Sequence, residues 1–196
     1  MAGIRLIVGL GNPGAEYLRT RHNAGFWFAD ALASGHGVRF GFDAKLHGES
    51  CKLAIDGAPV WLLKPATFMN ESGRAVVAAL NYYKIQPDEC LIAHDDLDLP
   101  PGTARLKFDG GHGGQNGLRH IIAQLGHGKF HRLRLGIGHP GHKDRVLSWV
   151  LGRPGTQDEN ALIDAIADAI AVLPLAVTGH YSEAMKRLHT NTSRDS

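Results

Sequence analysis

The sequence predicts a single α/β domain in three layers, a mixed central β-sheet flanked by helices. Short apolar, β-branched runs alternate along the chain with longer segments of helical period. A length of 196 residues suits one domain with a full core. A hydrophobic fraction of 43% and a charged fraction of 20% are ordinary globular usage. The domain is expected over residues 1–189, with 190–196 a short, polar, frayed tail.

Ile4 to Leu10 reads as a buried strand, an apolar run stopped by glycine, and Asn12-Pro13-Gly14 is turn chemistry. Asn23 to Ala33 reads as a helix with Phe26, Ala29 and Ala33 on one stripe and a glycine stop at Gly35. Glu49 to Ile55 and Val60 to Lys64 are strands joined at Asp56-Gly57, a favoured hairpin dipeptide. Glu71 to Lys84 is a helix closed off by Pro87, and Cys90 to Ala93 is another buried strand. Thr103 to Phe108 and Arg132 to Ile137 are strands, with a helix from Asn116 to Leu125 between them. The last long helix opens on a capping-box pattern, Thr156 with Glu159, and continues through Ile163, Ile166, Ile170 and Leu173. Pro174 is expected to kink or break it, and Tyr181 to Leu188 forms a second piece.

The net charge of +2 permits an anionic partner without demanding one, and the twelve histidines can add positive charge near neutrality. Cys51 and Cys90 form neither a disulfide framework nor a zinc signature and are expected as reduced core thiols. No run of 18 apolar residues is present, so no transmembrane helix is expected. The N-terminus, MAGIRLIVGLGNPG, is too short and glycine-rich for a signal peptide, which leaves the cytoplasm as the expected location.

Gly9-Leu10-Gly11-Asn12-Pro13-Gly14 matches GxGxxG directly after a strand. A dinucleotide site needs a helix opening at the third glycine and an acid at the end of a second strand ~20 residues on. Ala15 to Arg21 has no clear helical stripe, Asp30 falls inside a predicted helix, and Pro13 removes one of the N–H groups that would cradle a pyrophosphate. The nicotinamide-dependent reading is therefore set aside.

Four segments are unusually rich in polar residues: 11–25, 64–73, 94–102 and 110–117. Three follow predicted strands, and in α/β sheets ligands bind outside the carboxyl ends of strands. His22 lies just before a helix, whose N-terminus disfavours imidazolium and would keep the ring neutral and able to accept a proton. Asp95, Asp96 and Asp98 could cap a loop, bind a metal with His94, or supply one acid that orients His22; adjacent residues of an extended chain point apart, which disfavours the metal. Asn12, Asn70 and Asn116 could be helix caps, or amides that hold a peptide backbone, a water or an oxyanion. Gly110 to Gly117 holds five glycines in eight residues, which fits either a flexible loop or close backbone approach to a ligand. GxSxG is absent and both cysteines lie in predicted strands, so a hydrolase built here would activate water directly.

Taken together, LIVGLGNPGAEYLRTRHNAGFW, KPATFMNESG, AHDDLDLPPG, GGHGGQNGLRHI and FHRLRLGIGHP resemble the bacterial-type peptidyl-tRNA hydrolase family, in its order and roughly its spacing, from about Ile4 to Leu188. The resemblance implies a monomeric α/β enzyme that hydrolyses N-blocked aminoacyl-tRNA and recycles tRNA from peptides dropped during translation. It implies no metal and no organic cofactor. By position, His22 resembles the base that activates water, Asp95 its partner, and Asn12 the residue that discriminates blocked from unblocked substrates. Asn70, Asn116 and Gly113 of the glycine loop resemble residues that bind the peptide and the 3′-terminal part of the substrate, with Tyr17, Phe68 and Met69 as the apolar wall. Arg105, Lys107 and Arg134 resemble the basic residues that meet tRNA phosphates, and Arg132 is expected to add to that surface. Gln115 stands where the family often carries histidine, so an acid–base role there is not carried over, whereas a binding role is. A non-catalytic RNA-binding relative, of the kind that acts in group II intron splicing in plants, is the rival reading; the intact His22 and Asp95 argue against it.

Overall fold

The computed structural model describes residues 2–192. Seven strands form one sheet: β1 (Leu6–Gly9), β2 (Gly41–Asp43), β3 (Gly48–Ile55), β4 (Ala58–Pro65), β5 (Cys90–Asp96), β6 (Ala104–Phe108) and β7 (His131–Gly136), in the order β2-β3-β4-β1-β5-β7-β6. β4, β1, β5 and β7 run parallel, while β3 and β2 at one edge and β6 at the other are antiparallel to their neighbours. The expected three-layer mixed sheet is what forms.

The buried period of two on β1 explains the layers. Ile7 faces one core with α1 (Ala24–Gly35), α5 (Thr156–Val177) and α6 (Tyr181–Thr192). Leu6 and Val8 face the other core, built with α2 (Ser72–Tyr83) and α3 (Asn116–Leu125). The chain leaves β1 towards the β4 side and later crosses from β4 to β5 on its other side, so the direction of winding changes beside β1, where α/β sheets open a crevice at the carboxyl ends of the strands.

Several local expectations are corrected. Gly155, not Thr156, is the N-cap of α5; Thr156 is already helical and Glu159 N–H bonds the Gly155 carbonyl, so no capping box forms there. Pro174 does not end α5, which runs on to Val177 before Thr178 Oγ1 donates to the Pro174 and Leu175 carbonyls at 2.8 and 3.2 Å. A five-residue helix, α4 (Val146–Val150), and the exposed edge strand β2 were not anticipated. Within the segment expected as a tail, 190–192 continue α6, and Thr192 Oγ1 donates to the Ala104 carbonyl; 193–196 lie outside the described residues. α5 is long and apolar enough to cross a membrane, with a mean hydropathy of 1.8, but Leu162, Ile166, Ala169 and Leu173 of that helix are buried in the core.

The first two glycines of the GxGxxG match serve helix packing. A Cβ on Gly9 would stand 2.2 Å from the Gly25 carbonyl oxygen, and one on Gly11 would stand 2.6 Å from the Phe26 ring. The space that a cofactor reading would give to a pyrophosphate holds the start of α1.

Candidate functional site

His22 and Asp95 meet at the carboxyl ends of β1 and β5. His22 belongs to a single 3₁₀ turn, Arg21–Asn23, that leads into α1; Asp95 is the last residue but one of β5 and shares with Ala93 the strand face turned to α1. His22 Nδ1 lies 2.8 Å from Asp95 Oδ2, with the residues only 8% and 3% exposed. The carboxylate can only accept, so Nδ1 carries the hydrogen and Nε2 is left as the basic nitrogen. Burial acts most strongly on this imidazole and lowers its pKa, but the charge and hydrogen bond of Asp95 together outweigh it and hold His22 above 6.5. This corrects the expectation that the helix N-terminus keeps the ring neutral: the carboxylate decides the direction.

A hydrogen-bonded ring extends from this pair. Gln115 Nε2 donates to Asp95 Oδ1 at 3.0 Å and reaches Met69 Sδ at 3.3 Å. Met69 N–H donates to Asn12 Oδ1 at 2.7 Å, which leaves the Asn12 amide N–H₂ as the group that can donate to a ligand. Asn12 N–H in turn bonds Asn23 Oδ1 at 2.8 Å, and Asn23 Nδ2 donates to the Asn12 carbonyl at 3.0 Å. Asn23 is the neighbour of His22 in the chain, which closes the ring.

The three acids have different partners. Asp95 serves His22 and Gln115, Asp96 accepts from Arg134 Nε at 2.7 Å and from Asp98 N–H at 2.8 Å, and Asp98 is exposed. His94 donates from Nδ1 to the Asp95 carbonyl at 2.9 Å, and burial, above all, lowers its pKa. Neither convergence on a metal nor a shared cap describes this arrangement.

A cleft of about 310 Å³ opens over the pair. His22, Asp95, Gly113, Gln115 and Asn116 line one side, while Lys143 and the apolar Val146, Leu147 and Val150 line the other. A smaller depression of about 110 Å³ adjoins it, sharing His94, Asp96, His112 and Gly113, and carries Lys107, Arg132 and Arg134. Arg105 and Arg134 are direct partners across β6 and β7, and Lys107 lies two residues further along the same face as Arg105.

Arg132 is corrected from surface to interior. It is 2% exposed and donates to the carbonyls of Gly110, at 2.7 Å, and of Gly111 and Gly128. Its guanidinium therefore anchors the glycine-rich segment. Asn116 is the exposed first residue of α3 and not its cap; Gln115 is the cap, its Oε1 accepting from Leu118 N–H at 2.8 Å. Asn70 is exposed on the 3₁₀ turn Met69–Glu71 and is not among the residues lining the cleft. Tyr17 and Phe68 pair edge to face at 6.4 Å, joining the first loop to the Met69 turn.

Sequence reasoning missed Asn23, whose position at a helix start also suits a cap, and it missed α4 with Lys143. The signal for α4 was the apolar VLSWV, too short to display a helical period.

Known proteins resemble this chain over nearly its whole length. The family model described as Peptidyl-tRNA hydrolase matches residues 6–196. The chain is 70% identical over 190 residues to a peptidyl-tRNA hydrolase of Stenotrophomonas maltophilia strain R551-3, covering 97% of this chain and 99% of the relative. It is 67% identical over 195 residues to one from Xanthomonas oryzae pv. oryzae strain PXO99A, covering 100% of both. The crystal structure of peptidyl-tRNA hydrolase from Acinetobacter baumannii superposes with a TM-score of 0.94 at 49% identity, covering 96% of each chain.

Proposed function

The chain belongs to the peptidyl-tRNA hydrolase family and hydrolyses peptidyl-tRNA, and from that premise we propose that His22 is the general base that activates water against the ester carbonyl. The observation that carries this is the buried 2.8 Å pair of His22 and Asp95 beneath the cleft. Water placed in the cleft gives a proton to His22 Nε2 as its oxygen bonds to the carbonyl carbon. The Asp95 charge stabilises the imidazolium that forms, and that proton then leaves with the ribose hydroxyl as the ester C–O bond breaks. Base assistance of this kind is worth about 10²–10⁴ in rate.

The Asn12 amide, its oxygen held by Met69, is a preorganised donor for the oxyanion or the neighbouring peptide carbonyl. Asn116, Gly113 and, from outside the cleft, Asn70 complete a set of polar groups for the peptide backbone and 3′ end. An unblocked aminoacyl ester offers a charged ammonium in place of an amide and leaves such groups unpaired, which is the stronger basis for rejection. Tyr17, Phe68 and Met69 supply apolar contact beside these amides, while Lys107, Arg134 and Arg105 meet tRNA phosphates. The enzyme so read is a monomer that works without metal, in the cytoplasm where its substrate arises.

Release of peptide from N-acetyl-aminoacyl-tRNA, measured with EDTA present and with unblocked aminoacyl-tRNA as control, tests the reading. The expected result is release of the blocked substrate only, reduced at least a hundredfold in His22→Ala. A His22→Ala enzyme with wild-type kcat would remove His22 from the chemistry.

A further inference from the structure

We propose that Gln115 is a positioning residue whose side chain, locked in one amide orientation, holds the Asp95 carboxylate so that, among the described residues, His22 is the only imidazole paired with it. This rests on His22 as base and Asp95 as its partner.

The orientation follows from elementary donor and acceptor rules. Leu118 N–H can only donate, so the Gln115 atom 2.8 Å away must be its oxygen. The amide nitrogen then faces Asp95 Oδ1 at 3.0 Å. A flipped amide would set oxygen against carboxylate and NH₂ against N–H, losing both bonds. Packing keeps the side chain in place: a Cβ on Gly117 would stand 2.9 Å from Gln115 Oε1 and 2.7 Å from Met69 Sδ, so only glycine leaves room for both side chains. Gln115 is 9% exposed, so little water competes for these bonds.

Asp95 thus has one oxygen on His22 and the other on a neutral donor. Rotation of the carboxylate would break both bonds, and the His22 tautomer is fixed with it. The other titratable or charged groups around the pair are His94 and Asp96 on β5, Arg21 beside His22, His112 in the glycine loop and Lys143 ahead of α4. None of these stands on Asp95 Oδ1; an amide does. An imidazole in that place would share the carboxylate and titrate with it, giving a two-step profile that belongs to the group as a whole. The amide cannot titrate, so activity in this chain should rise with pH through one ionisation, that of His22.

The test uses Gln115→Leu and Gln115→Glu in the full chain. Leucine removes both bonds. Glutamate keeps an oxygen for Leu118 N–H, so the helix cap survives while the donor to Asp95 is replaced by a second carboxylate oxygen. Steady-state kinetics on N-acetyl-aminoacyl-tRNA across pH are combined with ¹⁵N NMR titration of the His22 ring. In Gln115→Leu, kcat should fall about tenfold or more with KM within about twofold, the loss expected for one hydrogen bond to a charged group. The His22 midpoint should move upward, because Asp95 without its second donor attracts the imidazolium more strongly. Gln115→Glu should move the midpoint further upward and lower thermal stability, because its second carboxylate is set against the buried Asp95 oxygen that the amide now contacts at 3.0 Å.

An unchanged midpoint with raised KM would overturn the proposal in favour of direct substrate contact. Unchanged kinetics and midpoint in Gln115→Glu, with only Gln115→Leu destabilised, would reduce Gln115 to a helix cap. His22→Ala is assayed alongside; if it keeps full activity, the base reading fails, and that result is separate from any behaviour of the Gln115 variants.

Discussion

His22 and Asp95 lie 73 positions apart in the chain, yet the proposed chemistry rests on their contact. The sign of the His22 shift decides the pH behaviour. Burial alone would lower its pKa, but Asp95 raises it, so if His22 acts as the proposed base, activity is expected to be lost as pH falls through a midpoint above 6.5. Asp95→Asn removes the charge and leaves the burial. Its kcat is expected to fall about 10²–10⁴-fold, and its ascending limb to move below 6.5; a pH–rate profile measured on both enzymes checks each part. A limb that stayed in place would mean that some other group governs the rate. At this scale much was legible. Adjacent acids on an extended chain point apart, which already favoured one orienting acid over a metal cluster, and the motif resemblance picked out Asp95. The Gln115 amide on Asp95 was not legible, because the bond depends on how α3 is docked against the end of β5. Arg132 misled for a related reason: a basic residue on a strand reads as surface, and only the fold turns two carbonyls of the 110–117 loop and that of Gly128 towards it.

At the scale of elements, the sheet and major helices follow from local signals, and the misses share a physical cause. Pro174 lacks an N–H only where α5 is nearly finished, so the helix loses one bond and Thr178 compensates the final carbonyls. β2 is three residues long with an exposed pattern, and α4 is five residues, so neither carries enough periodicity to read. The packing of α6 carries a consequence at low pH. His131 at the start of β7 stacks on Tyr181 of α6 at 4.1 Å and tilts against Phe108 of β6. Burial, the dominant cause, lowers its pKa from 6.5 to about 4. Between those values the unfolded chain binds the proton and the fold does not, so stability rises with pH across that window and is lost as pH falls through it. His131→Phe keeps the stacked ring and removes the titration. Thermal melts between pH 4 and 7 should show a flatter dependence of Tm for this variant, and parallel curves would assign the acid sensitivity elsewhere.

At the scale of the whole molecule, a net charge of +2 says little about a polyanionic partner; the local placement of charge says more. The basic depression adjoins the catalytic cleft and shares His94, Asp96, His112 and Gly113 with it, so a strand whose 3′ ester lies over His22 can set a phosphate among Lys107 and Arg134. The two cations are not equivalent. Arg134 is paired with Asp96 at 2.7 Å and offers a partly compensated charge, and Arg132 is occupied by loop carbonyls. Lys107 is exposed at the edge strand β6. It should therefore contribute most of the salt-sensitive attraction. Lys107→Ala is expected to raise KM for N-acetyl-aminoacyl-tRNA at low salt, to leave kcat at saturation near wild type, and to reduce the slope of log affinity against log salt by about 0.7–0.9, the release of one counterion. Short substrates ending at the 3′ nucleotide, which cannot reach the depression, should be hydrolysed equally by both enzymes. An unchanged KM and slope on full-length tRNA would move the phosphate contact to another face of the molecule, and equal losses on long and short substrates would mean that Lys107 acts on the cleft itself and not on the tRNA backbone.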